Sequence, residues 1–302
     1  MKVKMICHLM PWELDYALLT FVKLKKSYEY LPKDIEIIFD CVLNLSDSII
    51  DWKNSRIEKK HFIDKFYSLK NLVSCFNINR YEVIDGDKLY GHLNLQKECI
   101  SDDVDGYIYM CPDQNFDETL IAYMCKAAKT INDKYFILTS EIYKGWDSSW
   151  NPISSDKYKD VSYDDCGQEC PYKLEYENFY NDVSVKKISE IKFAGWVDYY
   201  SKDFINEFAK IPDDWNGYGP WDFYSMVLSY NFNKLNLKEK IHQYVLTGKI
   251  IYPIESKPYP DGFKKYYKDL LEMKNLNQRL DIENKISETI KKRILEINSG
   301  NL

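Results

Sequence analysis

Residues 3–9, Val-Lys-Met-Ile-Cys-His-Leu, and residues 35–40, Ile-Glu-Ile-Ile-Phe-Asp, decide the fold. Both are short apolar runs of strand type. Between them Leu14, Leu18, Phe21, Val22 and Tyr28 recur at helical spacing, which predicts an amphipathic helix over Trp12 to Tyr30. Pro11 ends the first run, and Leu31-Pro32-Lys33-Asp34 makes a turn before the second. Strand, helix and strand at this length form a βαβ unit with a parallel pair. Ligands of open α/β sheets sit beyond the carboxyl ends of the strands. His8 to Trp12 and Asp40 to Asn44 are therefore expected on the ligand edge. Asp40 reads either as a ligand contact or as an ordinary strand-end turn residue.

The alternation continues outward. Ser55 to Leu69 reads as a helix, Leu72 to Phe76 and Arg80 to Ile84 as short strands, and Gly91 to Ile100 as a short helix. Tyr107 to Met110 suits a buried strand; Pro112 ends it and leaves Asp113 just past its carboxyl end. Asp117 to Ile131 follows as a helix with Leu120, Ile121, Met124, Ala128 and Ile131 on one face, then Tyr135 to Thr139 as a strand. A βα alternation of this kind predicts a mainly parallel sheet flanked by helices.

Residues 141 to 183 break the periodicity and read as an irregular insertion or long loops, which at this length are often functional. Val183 to Val197 is expected to return as one or two strands, with a hairpin to Tyr199, and Lys202 to Ile211 as a helix. A Gly- and Trp-rich loop, Pro212-Asp-Asp-Trp-Asn-Gly-Tyr-Gly-Pro220, leads to a helix from Trp221 through Tyr230. Beyond it, Glu239 to Leu246 reads as a short helix, Tyr252 to Phe263 as extended, and Tyr266 to Asn298 as strongly helical. The tail is expected to pack on the domain or to serve as a homodimer contact. The division drawn from this pattern is 1–231, with a nucleotide-binding half at 1–140 and an acceptor half at 141–231, followed by a mainly helical extension at 232–302.

Composition narrows the function. The 302 residues are 45% hydrophobic and 16% aromatic, enough to fill a sizeable core, and 26 are Tyr. Tyr and Trp join an apolar face to a polar edge and so favour concave sites for polar ligands. The net charge is −6 and no Lys/Arg block is interleaved with aromatics, which argues against nucleic acid. No run approaches the ~18–20 apolar residues of a membrane span, and the first residues lack the apolar core of a signal peptide. Cysteines such as Cys7, Cys41, Cys111 and Cys125 stand alone in apolar runs, as reduced buried thiols do. A cytoplasmic protein is expected. Cys166 and Cys170 have no second pair at zinc spacing.

Three residues are candidates for chemistry. Asp113, at a strand end, could hold a hard divalent cation whose shell a diphosphate completes, or it is a turn residue after Pro112. Asp222 falls in the first turn of a helix, where negative charge is stabilised by ~0.3–1 kcal/mol. It is thus an ionised general base or a structural cap, and the local sequence does not separate the two. His242 could close a metal or phosphate site, or lie on the surface. No nucleophile–His set and no phosphate-binding Gly loop is present.

In this order the features resemble those of a GT-A-fold glycosyltransferase, family-2-like. Val3 to Leu24 resembles the opening strand, loop and helix. Glu36-Ile-Ile-Phe-Asp40 resembles the second strand, and Gly91 to Phe116 the helix and strand leading to the metal-binding Asp-x-Asp. Phe193 to Phe223 resembles the acceptor segment with its Gly-Trp-Gly-Glu-Asp-like loop. The resemblance spans residues 1 to about 231. Two positions depart from the pattern: Cys111-Pro112-Asp113 keeps only the last Asp of Asp-x-Asp, and Trp221-Asp222 replaces Glu-Asp.

The resemblance implies a GT-A-like, Rossmann-like sheet. It also implies transfer of a sugar from a nucleotide-diphosphate donor to a hydroxyl of a glycan or other acceptor, in an inverting single displacement. Asp222 is then the base. Asp113, with His242 as a further candidate ligand, holds Mn²⁺ or Mg²⁺. Pro11, Trp12 and Asp40 hold the nucleotide, and Trp215, Tyr218 and Trp221 line the acceptor site. A catalytically degenerate nucleotide-binding scaffold is the alternative. A sugar-phosphate nucleotidyltransferase would show a Gly-rich, Arg-containing loop where this chain has Leu9-Met-Pro-Trp12.

Overall fold

The structure is a computed structural model. It describes residues 1–47, 50–86, 92–143, 183–189, 191–192, 196–208, 221–235 and 238–253, with Pro152 and a few positions between 284 and 299. The opening unit is as expected: strand β1 (Lys2–Leu9), a 3-10 turn at Pro11–Glu13, helix α1 (Leu14–Ser27) and strand β2 (Glu36–Asn44). Then come α2 (Lys59–Leu69), β3 (Asn77–Ile84), α3 (His92–Glu98), β4 (Gly106–Met110), β5 (Gln114–Phe116) and α4 (Leu120–Ala128). The chain continues with β6 (Tyr135–Ile142), β7 (Ser184–Ile188), β8 (Val197–Ser201), α5 (Lys202–Phe208), α6 (Trp221–Lys234) and β9 (Ile241–Pro253).

All nine strands form one sheet in the order β3-β2-β1-β4-β8-β6-β9-β5, with β7 also paired to β9. β1, β2, β3 and β4 are parallel to one another, and β6 is parallel to β9. β8 runs antiparallel between β4 and β6. The interior strands are buried on both faces, so they read as apolar runs rather than alternations. On one face Met5, Cys7, Ile108, Phe136 and Leu138 pack under α1, α2 and α4, through Phe21, Phe66 and Met124. On the other, Ile6, Tyr107, Ile137 and Tyr200 pack under α3, α5 and α6, through Leu95, Phe204 and Phe232. Each such side chain stabilises the fold by roughly 1.5–3 kcal/mol on burial. Ile294, 8% exposed, joins the second cluster, so the tail contributes to the domain's own core.

Several expectations are corrected. Glu239 to Leu246 is not helical: Ile241, Tyr244, Val245, Ile250 and Ile251 belong to a 13-residue strand inside the sheet. β-Branched and aromatic residues suit that environment, and the buried polar Gln243 and Lys249 mask the strand's apolar face in the sequence. The sheet therefore continues past residue 231, a boundary that falls inside α6. β9 slips register against β6 after Ser140, and Gly248 sits at the slip with φ 79°, a conformation that costs other residues ~1–2 kcal/mol. β7 and β8 form no hairpin; β7 pairs with β9, and β8 with β4 and β6. Leu72 to Phe76 is a 3-10 turn and bends rather than a strand. Cys7, Cys41, Cys99 and Cys125 are buried free thiols, whereas Cys111 is only half-buried.

Candidate active site

The sheet order changes direction at β1, which has β2 on one side and β4 on the other. Such a switch point opens a crevice at the carboxyl ends of the two strands. The β1–β4 register sets Cys7 beside Met110, which brings the turn after Leu9 next to the segment after Met110. The first turn is closed by the Met10 N–H, which donates to the buried Glu13 carboxylate at 2.8 Å, and by the Glu13 N–H, which donates to the Met10 carbonyl at 2.9 Å. Pro11 and Trp12 are thereby fixed at the edge, both buried.

Asp113 stands on the second segment, 4% exposed. Its backbone is gripped from two sides. The Thr20 hydroxyl lies 2.6 Å from the Pro112 carbonyl oxygen and 2.9 Å from that of Gln114. The Cys111 N–H donates to the Trp196 carbonyl at 2.7 Å. The Gln114 amide nitrogen donates to Asp113 Oδ1 at 2.9 Å, while its Oε1 is buried with no hydrogen-bond donor. Negative charge collects here. Burial, first of all, and the neighbouring Cys41 push the Cys7 thiol well above its ordinary value, and the charges of Glu13 and Asp113 add to the shift.

β5 extends the site. Its three residues pair with the end of β9, Gln114 opposite Pro253 and Phe116 opposite Ile251. Next to it the wholly buried Lys249 ammonium contacts Asp117 Oδ1 at 2.9 Å. Burial acts to raise the Asp117 carboxyl, but the Thr119 hydroxyl, the Lys249 ammonium and the Thr119 N–H outweigh it and hold it below the usual range. A second polar group lines the sheet face nearby. Asp198 of β8, 2% exposed, stands opposite Tyr109 on β4 and Thr139 on β6, and Gln243 donates to the Thr139 hydroxyl at 3.1 Å.

The sequence candidates divide accordingly. Pro11, Trp12 and Asp113 meet at one edge. Asp40 does not lie at a strand end: β2 runs on through Cys41-Val42-Leu43 to Asn44. Asp40 is 1% exposed, accepts from the Asn79 amide at 2.8 Å and faces Lys4 at 3.6 Å. It is an internal charge of the sheet, because the apolar stretch after it continues the strand.

His242 is placed at the opposite edge from Asp113. It sits beside Phe136 near the start of β6, while Pro253 at the far end of β9 neighbours Gln114. Burial lowers the His242 imidazole, Asp133 acts against that shift, and Lys187 adds to it. The pairing of His242 with Asp113 on one cation is therefore corrected. Asp222 is in the first turn of α6, as expected, with its side chain outside the described residues. The same holds for the side chain of Trp221, and Trp215 and Tyr218 lie outside the described residues altogether. Thr20 and Asp198 carried no signal of their own in the sequence, since each depends on a neighbour far along the chain, and Gln114, although next to Asp113, is fixed in place by the distant Thr20 and Pro253.

Among the described residues no three His, Cys, Asp or Glu are gathered as a closed protein cage for a metal would need. The oxygen donors at Asp113 and Gln114 do fit a hard cation of the Mg²⁺ or Mn²⁺ kind, which takes one or two protein carboxylates and completes its shell with phosphate oxygens. A cavity of about 630 Å³ lies elsewhere, at the amino edge of the sheet between Asp105, Asp133, Lys134, Tyr199 and Lys202. No described helix is long and apolar enough to cross a membrane.

No protein-family model matches the chain, and no curated protein does. Solved structures match the chain with TM-scores below 0.5. Residues 1–349 of Staphylococcus aureus TarS match with a TM-score of 0.45 at 10% identity, over 82% of this chain and 60% of that one. The same protein in complex with UDP-GlcNAc matches with a TM-score of 0.41 at 10% identity, over 82% and 58%. A mycobacterial protein matches with 0.45 at 10% identity, over 85% and 68%. The chain thus spans about 60% of the length of the TarS fragment. The sheet order and strand directions described above make the fold a Rossmann-type mixed sheet with helices on both faces.

Proposed function

We propose that this chain is a glycosyltransferase that moves a sugar from a nucleotide-diphosphate donor to an acceptor hydroxyl by an inverting single displacement. One observation carries the reading: the β1/β4 switch point, where Pro11–Trp12 and Asp113 come together at the carboxyl edge of a GT-A-like sheet. That edge is where open α/β sheets bind nucleotides.

Asp113, with the carbonyls of its neighbours Pro112 and Gln114 held by Thr20, would hold a divalent cation. When bound, that ion supplies positive charge against the diphosphate leaving group. The Pro11–Trp12 turn borders the nucleotide. Asp222 accepts the acceptor's hydroxyl proton as the oxygen attacks; its place in the first turn of α6 favours the ionised form this role needs. Trp215, Tyr218 and Trp221 offer aromatic faces to the sugar rings, whose C–H surfaces are apolar. The residues after β9 offer a homodimer contact.

A second reading, a nucleotide-binding scaffold without turnover, follows from one feature: Cys111 occupies the place of the first acid in Asp-x-Asp. The two are separated by thermal shift with UDP, GDP and CDP with and without Mn²⁺, then by donor hydrolysis. A ligand at 100 times its Kd adds ~2.7 kcal/mol of stability. Binding with hydrolysis or transfer supports the transferase, and binding without either supports the scaffold. No shift with any nucleotide overturns both.

A further inference from the structure

The residue after Asp113 brings a second hard oxygen to the edge. Gln114 is 1% exposed. Its Nε2 donates to Asp113 Oδ1 at 2.9 Å, which leaves its Oε1 buried and without a donor. The two atoms share one amide carbon, so covalent geometry keeps Oε1 within about 5 Å of Asp113 Oδ1. A buried acceptor in that state is costly and uncommon in folded proteins, and a group that binds there is one way to satisfy it. The Gln114 backbone is fixed as well, paired with Pro253 on one side and held by Thr20 on the other.

The choice of ligand follows from the company Oε1 keeps. An ionised carboxylate and an amide carbonyl are both acceptors, and side by side they concentrate negative potential. A hydroxyl group would satisfy Oε1 and bring no charge. A hard divalent cation satisfies Oε1, brings positive charge to the carboxylate and readily takes Gln carbonyl oxygens. Cys111, the other nearby candidate, offers a soft thiol, which suits zinc or copper(I) better than magnesium or manganese.

We infer that Gln114 is the second protein ligand of the divalent cation at Asp113, its amide oxygen standing in for the acid that Cys111-Pro112-Asp113 lacks. The inference rests on the assignment of the cation to Asp113 made above.

The test is a Mn²⁺ titration of the full chain, with and without UDP, followed by loss of the free-ion electron paramagnetic resonance signal. Gln114→Leu is expected to weaken Mn²⁺ binding at least tenfold with its circular dichroism unchanged. Gln114→Glu is expected to bind at least as tightly as the wild type. Its melting temperature should also rise more on adding Mn²⁺, because the ion relieves repulsion between two adjacent carboxylates. Wild-type affinity in the folded Leu variant, tenfold weaker binding in the Glu variant, or no Mn²⁺ uptake by the wild type each overturns the inference. If the Leu variant does not fold, the Mn²⁺-dependent melting shift of the Glu variant decides alone. Donor hydrolysis is scored separately: Gln114-dependent Mn²⁺ binding without turnover keeps this ligand set and removes the transferase.

Discussion

Thr20, fully buried in the middle of α1, holds Gln114 from across the fold: its hydroxyl oxygen lies 2.9 Å from the Gln114 carbonyl and 2.6 Å from that of Pro112. One hydroxyl hydrogen serves both acceptors, so the helix spans the two peptide groups that flank Asp113. Helix packing and the position of the carboxylate are coupled through a single side chain.

Thr20→Val keeps the shape and removes the donor. Leaving a buried acceptor unsatisfied costs about 1–3 kcal/mol, to be measured as a lower urea midpoint at unchanged slope. Thr20→Ser should keep most of the stability. A Val variant as stable as the wild type would mean that the carbonyls find other donors.

Asp222→Asn is expected to lower transfer by 10²–10⁴-fold, the usual size of a lost general base, with nucleotide affinity unchanged. Steady-state kinetics and a nucleotide titration on the same preparation check it. Loss of both together would make Asp222 a structural cap.

Lys249→Met leaves Asp117 buried opposite an apolar chain. Breaking a buried pair from one side costs roughly 3–5 kcal/mol, whereas the double change Lys249→Met with Asp117→Leu should recover much of that loss. The Asp117 carboxyl is held low in the folded chain, so its contribution is present above the ordinary carboxylate value of 3.8 and is lost as the pH falls through its folded value. Asp117→Asn should therefore flatten the acid side of the stability profile below about pH 4. An acid limb identical to that of the wild type would count against the pair.

His242 should titrate below 6.5, because burial disfavours its charged form. Its folded value is depressed, so the stability it contributes is present above about pH 6.5 and is lost as the pH falls through that folded value. Proton NMR of the imidazole reads this directly. Asp133→Asn removes the opposing negative charge and should lower the value further; a rise would show that the carboxylate does not act on the ring.

The βαβ opening was legible because an apolar strand run and a 3.6-residue period are properties of neighbouring residues. The position of Asp113 past β4 was legible for the same reason, as was the start of α6 at Trp221. β9 was not. Its buried residues include the polar Gln243 and Lys249, and Thr247-Gly248-Lys249 interrupts them like a turn, although Gly248 only allows the strand to slip register against β6. β5 has three residues, too few to leave a pattern.

By itself, then, the sequence determined the α/β class, the parallel opening and the places of Asp113 just past β4 and of Asp222 in the first turn of α6. Local periodicity encodes those features. The tertiary structure alone decided which of the candidates share an edge: it brought Asp113 to Pro11, Trp12 and Thr20, sank Asp40 beside Lys4 within the sheet, and moved His242 to the far edge. Strand order and register are set by packing between segments remote in the chain, and no local spacing records them.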